Sequence, residues 1–222
     1  MKLEVCANSY QSAKNAQEAG AQRIELCQNL VIGGITPTDE LLKKAIQELD
    51  IETFVLIRPR GGDFCYSETE FNTMRNSIEL CKSLGHAGIV SGVLNEDNTL
   101  DIKRTKALVE LSRPLQFTFH RAFDEVPNPL ETMEQLIDLG VERILTSGQE
   151  HKAEEGFKLL KELKERAKGR IIIMPGSGIN PANAKLFKKA GFSEIHASAS
   201  KPIDNNQTVS DLATIKAILD EI

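Results

Sequence analysis

Eight short segments rich in β-branched and other apolar residues recur along the 222-residue chain, and they constrain its fold more than any other feature. Their starts lie about 27 residues apart, which is room for a strand, a helix and two short loops. The segments are residues 3–7, 23–27, 52–59, 88–94, 115–120, 143–148, 171–176 and 194–199. This spacing predicts eight consecutive βα units.

The residues between these segments carry helix signals. Glycines that suit the left-handed end of a helix stand just before five of the predicted strands. They are Gly20, Gly85, Gly140, Gly169 and Gly191. Three pairs place a capping residue before a proline at the first helical position, namely Thr36–Pro37, Asn128–Pro129 and Asn180–Pro181. Residues 151–168 have the pattern of a charged amphipathic helix.

One helix is indicated by its apolar positions alone. Phe71, Met74, Ile78 and Cys81 recur at helical spacing and predict a helix that buries one face. Cys81 on that face is expected to be a core residue.

Alternating strands and helices favour a single (β/α)8 TIM-like barrel that spans residues 1–222 as one domain. The rival fold is an open, doubly wound sheet. The first strand is not followed by the Gly-x-Gly-x-x-Gly loop that is typical of that fold, so we prefer the barrel.

Charge and hydropathy exclude several functional classes. The chain has 27 basic and 32 acidic residues and a net charge of −5, without a basic stripe, so nucleic acid is not an expected partner. No apolar run approaches the ~18 residues of a membrane span. The first residues lack a secretory pattern, and we expect a cytoplasmic location. The expected partners are a small anionic ligand or a metal ion, and a homo-oligomer remains an open alternative.

Strand alternation places polar side chains inside the predicted barrel. If Leu3, Val5 and Ala7 face the helices, Glu4 and Cys6 face the barrel axis. The same alternation turns Glu25 and Cys27 inward in the second strand, His120 in the fifth and His196 in the eighth. In the third strand it places Arg58 on the same face as Phe54 and Leu56. Barrel interiors are mostly apolar, so these groups form either a buried ion-pair network or a functional site.

Several loops after the strands suit an anion. Arg58 and Arg60 add two guanidinium groups after the third strand. Gly176, Ser177 and Gly178 follow the seventh strand, and backbone amides there could hold a phosphate or carboxylate. Ser198 follows the eighth strand. The alternative is an ordinary tight turn, because glycine is common in such turns.

Acid/base chemistry is a second expectation for this end of the barrel. His120 titrates near neutral pH when unperturbed, and Asp124 could set its tautomer. Glu4 and Glu25 lie deeper and could orient or deprotonate a bound group. His196 completes the candidate catalytic set.

Two cysteines are candidate metal ligands. Cys6 and Cys27 share inward parity on neighbouring strands, and copper(I) is a soft ion that accepts two thiolates. Alternatively, both pack as small apolar residues in a tight interior.

The chain resembles the CutC family of copper homeostasis proteins. The resemblance lies in Leu3-Glu4-Val5-Cys6, in Arg23-Ile24-Glu25-Leu26-Cys27, in the string from Ile57 to Phe64 (IRPRGGDF), in the string from Thr118 to Asp124 (TFHRAFD), and in Met174-Pro175-Gly176 with Gly178. It implies a TIM-like barrel, a cytoplasmic location and copper(I) as the bound metal, with Cys6 and Cys27 as the positions to test.

Three functional hypotheses follow. The first is a copper homeostasis protein that binds copper(I) at Cys6 and Cys27. The second is a barrel enzyme that acts on a small phosphate- or carboxylate-bearing metabolite by acid/base chemistry at the barrel mouth. The third is a scaffold without chemistry, for which we expect a closed and fully ion-paired mouth.

Overall fold

Eight parallel strands form a nearly closed barrel in the computed structural model, which describes residues 1–203 and 207–222. The strands are β1 (Lys2–Ala7), β2 (Arg23–Leu26), β3 (Glu52–Leu56), β4 (Gly88–Ser91), β5 (Gln116–Phe119), β6 (Arg143–Thr146), β7 (Ile172–Pro175) and β8 (Glu194–Ala197). Consecutive strands pair from β1 to β7, β1 also pairs with β8, and β7 contacts β8. The predicted barrel is therefore confirmed.

Helices alternate with the strands around the barrel. They are α1 (Tyr10–Ala19), α2 (Asp39–Glu48), α3 (Glu68–Leu84), α4 (Ile102–Ser112), α5 (Pro129–Asp138), α6 (Phe157–Ala167), α7 (Ala184–Lys189) and α8 (Leu212–Glu221). Single 3₁₀ turns occupy Leu30–Ile32 and Arg121–Glu125. None of the helices in the described residues is long and apolar enough to cross a membrane.

The helix starts show which sequence signals are reliable. Helix α5 begins at Pro129, as predicted. The other two predicted starts are wrong, because α2 begins after Thr38, whose hydroxyl accepts a hydrogen bond from the Leu41 N–H, and α7 begins after Asn183. The side chain of Asn180 instead accepts the N–H of Ala182 in a local turn. A capping residue before proline therefore marks a turn as readily as a helix start.

Helix α3 has the predicted buried face of Phe71, Met74, Ile78 and Cys81. Ser67 and Glu70 form a reciprocal capping box at its first turn, which fixes where the helix begins. Helix α6 is shorter than predicted, because residues 151–156 form turns rather than helix. Those turns contribute to the rim of the barrel.

Side chains alternate between the two faces of each strand, as the sequence predicts. Leu3, Val5 and Ala7 pack in the large core between barrel and helices. A smaller cluster fills the barrel interior, and its members are Cys6, Cys27, Phe54, Leu56 and Val90. Most predicted strands extend one to three residues beyond the observed ones, because their last residues leave the ladder and form the mouth.

A short antiparallel hairpin follows the eighth strand of the barrel. It consists of β9 (Ser200–Pro202) and β10 (Thr208–Ser210). The Ser210 hydroxyl donates to the carbonyl oxygen of Cys6 at 3.2 Å, so the hairpin is fixed to the end of β1. The sequence analysis missed this hairpin because its residues are mostly polar and lack a strand-like apolar pattern.

Candidate functional site

A cavity of about 730 Å³ opens at the carboxyl ends of the strands. This end of the barrel is where the active sites of such folds lie. The predicted site residues that line it are Cys6, Glu25, Arg58, His120, Asp124, Ser177, Gly178, His196 and Ser198. The mouth is therefore open, whereas the scaffold hypothesis requires a closed one.

The two candidate metal-binding cysteines meet inside the barrel. Their Sγ atoms lie 3.6 Å apart, and both residues are buried. The Cα atom of Cys6 pairs with that of Glu25, and Cys27 lies two residues after Glu25, just beyond the end of β2. The hydrogen bond with Cys27, together with burial, raises the pKa of Cys6 well above its ordinary value. Both side chains are free thiols in this structure.

His196 lies beside the thiol pair and is held by Glu4. Its Nδ1 atom donates to Oε1 of Glu4 at 2.7 Å, and its Nε2 atom lies 3.8 Å from Oε2 of Glu25. Burial alone would lower the pKa of His196. Hydrogen bonds with Cys6 and Glu4 and the charges of Glu25 and Glu4 outweigh burial and raise that pKa well above its ordinary value.

The two buried carboxylates have opposite pKa shifts. Burial would raise the pKa of Glu4, but the positive charges of Arg23 and His196 lower it to about 2. Burial raises the pKa of Glu25, and the neighbouring charge of Glu4 acts in the same direction against the lowering effect of His196. Glu4 is therefore a permanent anion that holds His196, whereas Glu25 accepts a proton more readily.

Three residues of this cluster present ligand atoms of three kinds. A sulfur of Cys6, a carboxylate oxygen of Glu25 and a ring nitrogen of His196 all lie within 4.8 Å of one another. The carboxylate–histidine contact with Glu4 is the arrangement that orients metal-binding histidines in proteins. The sequence analysis predicted catalytic roles for Glu25 and His196, and the structure adds that both lie beside Cys6.

Arg58 and Arg60 have different environments although they are neighbours in sequence. Arg58 is buried against the cavity and donates to the carbonyl oxygens of Ile32, Gly34 and Gly62. Arg60 does not line the cavity, and its side chain pairs with Asp63 at 2.9 Å and Glu70 at 2.6 Å. Of these two arginines, only Arg58 is therefore placed to contact a ligand in the cavity.

The structure separates His120 from Asp124. Nδ1 of His120 accepts a hydrogen bond from the backbone N–H of Ala122 at 3.2 Å, so this backbone group sets the tautomer that we expected Asp124 to set. Burial and the positive charge of Arg58 lower the pKa of His120 to about 3. Asp124 instead accepts hydrogen bonds from Thr146 at the end of β6 and from Ser147 and Gln149 in the loop that follows.

The glycine loop after β7 is shaped by close packing. A Cβ atom at Gly176 would lie 2.4 Å from Cδ1 of Leu145, so this position accepts only glycine without rearrangement. Ser177 has a left-handed φ of 79° and donates its hydroxyl to the carbonyl of His151. Helix α7 begins only at Ala184, later than the start predicted at Pro181, so it does not follow the loop directly.

An interior ion network closes the barrel below the cavity. We use this term for Glu4, Arg23, Arg143 and Glu194. Arg23 is fully buried and pairs with Glu4 at 2.5 Å and with Glu194, while Nε of Arg143 lies 3.1 Å from Glu194. The sequence analysis missed both arginines and Glu194. Arg23 shares the inward parity of Glu25, and that signal was sufficient to find it.

Comparison with known proteins gives a consistent result. The CutC family model matches residues 1–201. A family protein CutC from Photorhabdus laumondii is 47% identical over 200 residues, which are 90% of this chain and 80% of that protein. The copper homeostasis protein cutC homolog of Homo sapiens is 47% identical over 204 residues, which are 91% of this chain and 75% of that protein.

A solved structure shares both fold and sequence with this chain. The copper homeostasis protein CutC from Streptococcus agalactiae superposes with a TM-score of 0.85 at 33% identity, and the match covers 89% of this chain and 98% of that one.

Proposed function

The chain belongs to the CutC family, and from this premise we propose that it serves copper homeostasis by binding copper(I) between Cys6 and Cys27. The observation that carries the proposal is the buried thiol pair, with Sγ atoms 3.6 Å apart, beside the imidazole of His196. We place the protein in the cytoplasm, since a reducing compartment keeps such cysteines as thiols. Copper is its cargo in this proposal.

The donor set suits a soft monovalent ion. Thiolates and imidazole are ligands that copper(I) accepts, whereas an oxygen-only site would favour harder ions. With metal–sulfur bonds of about 2.3 Å, two sulfurs in a trigonal site lie about 4.0 Å apart, so the pair needs only a small displacement. His196 is the third ligand in this proposal, because Glu4 holds Nδ1 and leaves Nε2 on the side of Cys6 and Glu25.

Binding must release protons, because copper(I) binds thiolates and the pKa of Cys6 is raised well above its ordinary value. Two thiols lose two protons when they bind one copper(I) ion, and the product carries one net negative charge. For His196 to bind through Nε2, the proton on that atom must also leave. Glu25 is the acceptor in this proposal, since its carboxylate is 3.8 Å away and its pKa is raised.

An anaerobic titration in competition with a coloured copper(I) chelator tests this function. We expect one copper(I) per wild-type chain and an affinity loss of about 100-fold or more in Cys6→Ser and in Cys27→Ser, because each variant lacks one soft ligand. Cys65→Ser is the matched control, since Cys65 lies in the loop after β3 and is not among the lining residues of the cavity. Unchanged affinity in both barrel variants would exclude copper binding at this pair.

The cavity favours a second candidate function. Its volume of about 730 Å³ far exceeds what a metal ion occupies and falls within the range of small-molecule sites. We propose that Glu25 and His196 exchange protons with a small anionic metabolite held there. The test follows the exchange of substrate hydrogen for deuterium in heavy water, by proton NMR, across a set of phosphorylated and carboxylated metabolites. We expect exchange by the wild type and none by Glu25→Gln, and no exchange by the wild type would contradict this function.

A further inference from the structure

We propose that Arg58 and His120 form an anchor in the cavity for a small organic molecule with one carboxylate or one phosphate group. This site is separate from the thiol pair, and the binding of an anion there does not depend on any reaction. The proposed ligand is also the class of metabolite for the second candidate function. Anion binding does not rest on that function, whereas the exchange of protons with the bound anion does.

Among residues 1–203 and 207–222, the charge on Arg58 has no carboxylate partner, unlike the charges of the other buried cations of the barrel. Arg23, Arg143 and His196 each pair with a carboxylate. Arg58 is only 6% exposed, and in the described part of the chain its hydrogen bonds go to neutral carbonyl oxygens rather than to a carboxylate. Buried charges in proteins are paired, so the missing counter-ion of Arg58 points to an anion supplied by a ligand.

Contacts from two loops hold the guanidinium group in place before any ligand arrives. The carbonyls of Ile32 and Gly34 come from the loop after β2, and that of Gly62 comes from the loop after β3. The ring of Phe64 lies 4.8 Å from the guanidinium carbon. A group that is fixed in this way loses little conformational entropy on binding.

His120 adds a hydrogen-bond donor beside Arg58. Because Nδ1 accepts from Ala122 and the ring is neutral, the ring proton is on Nε2, which has no partner among the described residues. The ring is held by Phe64, with centroids 4.9 Å apart, and by Gly92, where a Cβ atom would lie 2.7 Å from the ring. Buried Nε of Arg58 is likewise without a partner. Both nitrogen atoms are enclosed at the cavity wall and lack acceptors among the described residues, so a ligand oxygen that enters between the two side chains would satisfy them.

The rest of the cavity limits the charge of the ligand. Glu25, Glu125 and Glu150 also line it, and their carboxyl groups repel further negative charge. Leu30 and Leu145 supply apolar wall. The cavity therefore favours one anionic group on an otherwise uncharged body and disfavours polyanions such as citrate.

Nitrogen-15 NMR of the arginine Nε–H groups tests the site in the wild-type protein. The probes are lactate, glycerol 3-phosphate and citrate, each titrated at constant ionic strength, and Arg58→Lys identifies the Arg58 resonance by its loss. We expect a saturable shift of that resonance with lactate or with glycerol 3-phosphate, which distinguishes a carboxylate site from a phosphate site, and a much weaker response to citrate. A wild-type Arg58 resonance that does not respond to lactate or to glycerol 3-phosphate would overturn the proposal.

Calorimetric titration of variants with the responding probe separates this site from general positive charge at the mouth. Removal of the unpaired charge in Arg58→Gln should weaken binding about tenfold or more. Arg121→Gln is the control, because Arg121 lines the same cavity but pairs with Asp124, and we expect a smaller loss. Equal losses in both variants would refute an anchor at Arg58.

Two variants separate anion binding from effects on folding and from copper binding. If Arg58→Gln does not fold, the response of the wild-type Arg58 resonance, identified by its loss in Arg58→Lys, tests the anchor. Anion binding should persist in the Cys6→Ser, Cys27→Ser double variant. Copper binding without anion binding would refute the anchor alone, and the reverse result would refute only the copper proposal.

Discussion

The interior ion network and the cavity above it use similar residues in opposite ways. Both place arginine, glutamate or histidine at inward-facing strand positions. In the network each arginine meets a carboxylate, and Arg23 is fully enclosed. At the mouth, within the described residues, Arg58 meets neutral carbonyl oxygens instead of a carboxylate, and the thiol of Cys6 lies beside Cys27, His196 and Glu25. The difference teaches that a buried cation without a carboxylate partner, rather than the burial of charge itself, distinguishes a binding site from a structural plug.

The largest effect is expected when the network loses its shared carboxylate. Glu194→Ala leaves Arg23 and Arg143 without the group they both contact, so the free energy of unfolding should fall by about 3–5 kcal/mol. Denaturation by urea, followed by circular dichroism, measures this loss. A change below about 1 kcal/mol would show that the ion pairs of the network do not stabilise the barrel, and the network would then not differ from the mouth in this respect.

A pH experiment isolates the contribution of His120 at the mouth. Its folded-state pKa of about 3 lies below the unfolded value near 6.5, so the unfolded chain binds more protons, and stability present above pH 6.5 is lost as the pH falls towards 3. Between pH 7 and 5 the wild type should lose about 2 kcal/mol more than His120→Asn, whose Oδ1 can replace Nδ1 as acceptor. Equal pH dependence of urea denaturation in the two proteins would mean that the folded state protonates this ring freely.

The smallest effect on stability is expected for an arginine whose ion pairs are exposed to solvent. Arg60→Ala removes ion pairs with Asp63 and Glu70, both partly or largely exposed, and should lower the free energy of unfolding by about 1 kcal/mol or less. The same denaturation measurement, repeated in high salt, checks it. A loss as large as that of Glu194→Ala would make this loop part of the structural core.

Strand alternation was enough to predict most of the barrel and the inward direction of its polar residues. Glu4, Cys6, Glu25 and Cys27 all face the interior because a strand has only two faces. The distance between the two sulfurs depends on the stagger between β1 and β2, which alternation does not specify. The sequence therefore placed both cysteines on the correct face, and only the structure showed them in contact.

Residues in loops were harder to assign than residues in strands. Arg58 and Arg60 share one short sequence string, and their different partners depend on how the loops after β2 and β3 fold against each other. Asp124 follows His120 closely, yet apart from its neighbour Arg121 it is held by the end of β6 and the loop after it, which are distant in sequence. Such contacts are set by tertiary packing, and local patterns carry little information about them.

Glu4 ties the two regions together, because one oxygen of its carboxylate contacts Arg23 and the other contacts His196. The orientation of His196 and the stability of the barrel below it consequently both depend on Glu4. A substitution of Glu4 that is meant to change the reactivity of the mouth would also destabilise the interior ion network. Retuning is therefore more feasible from the rim, where Arg58 is fixed by backbone groups of separate loops.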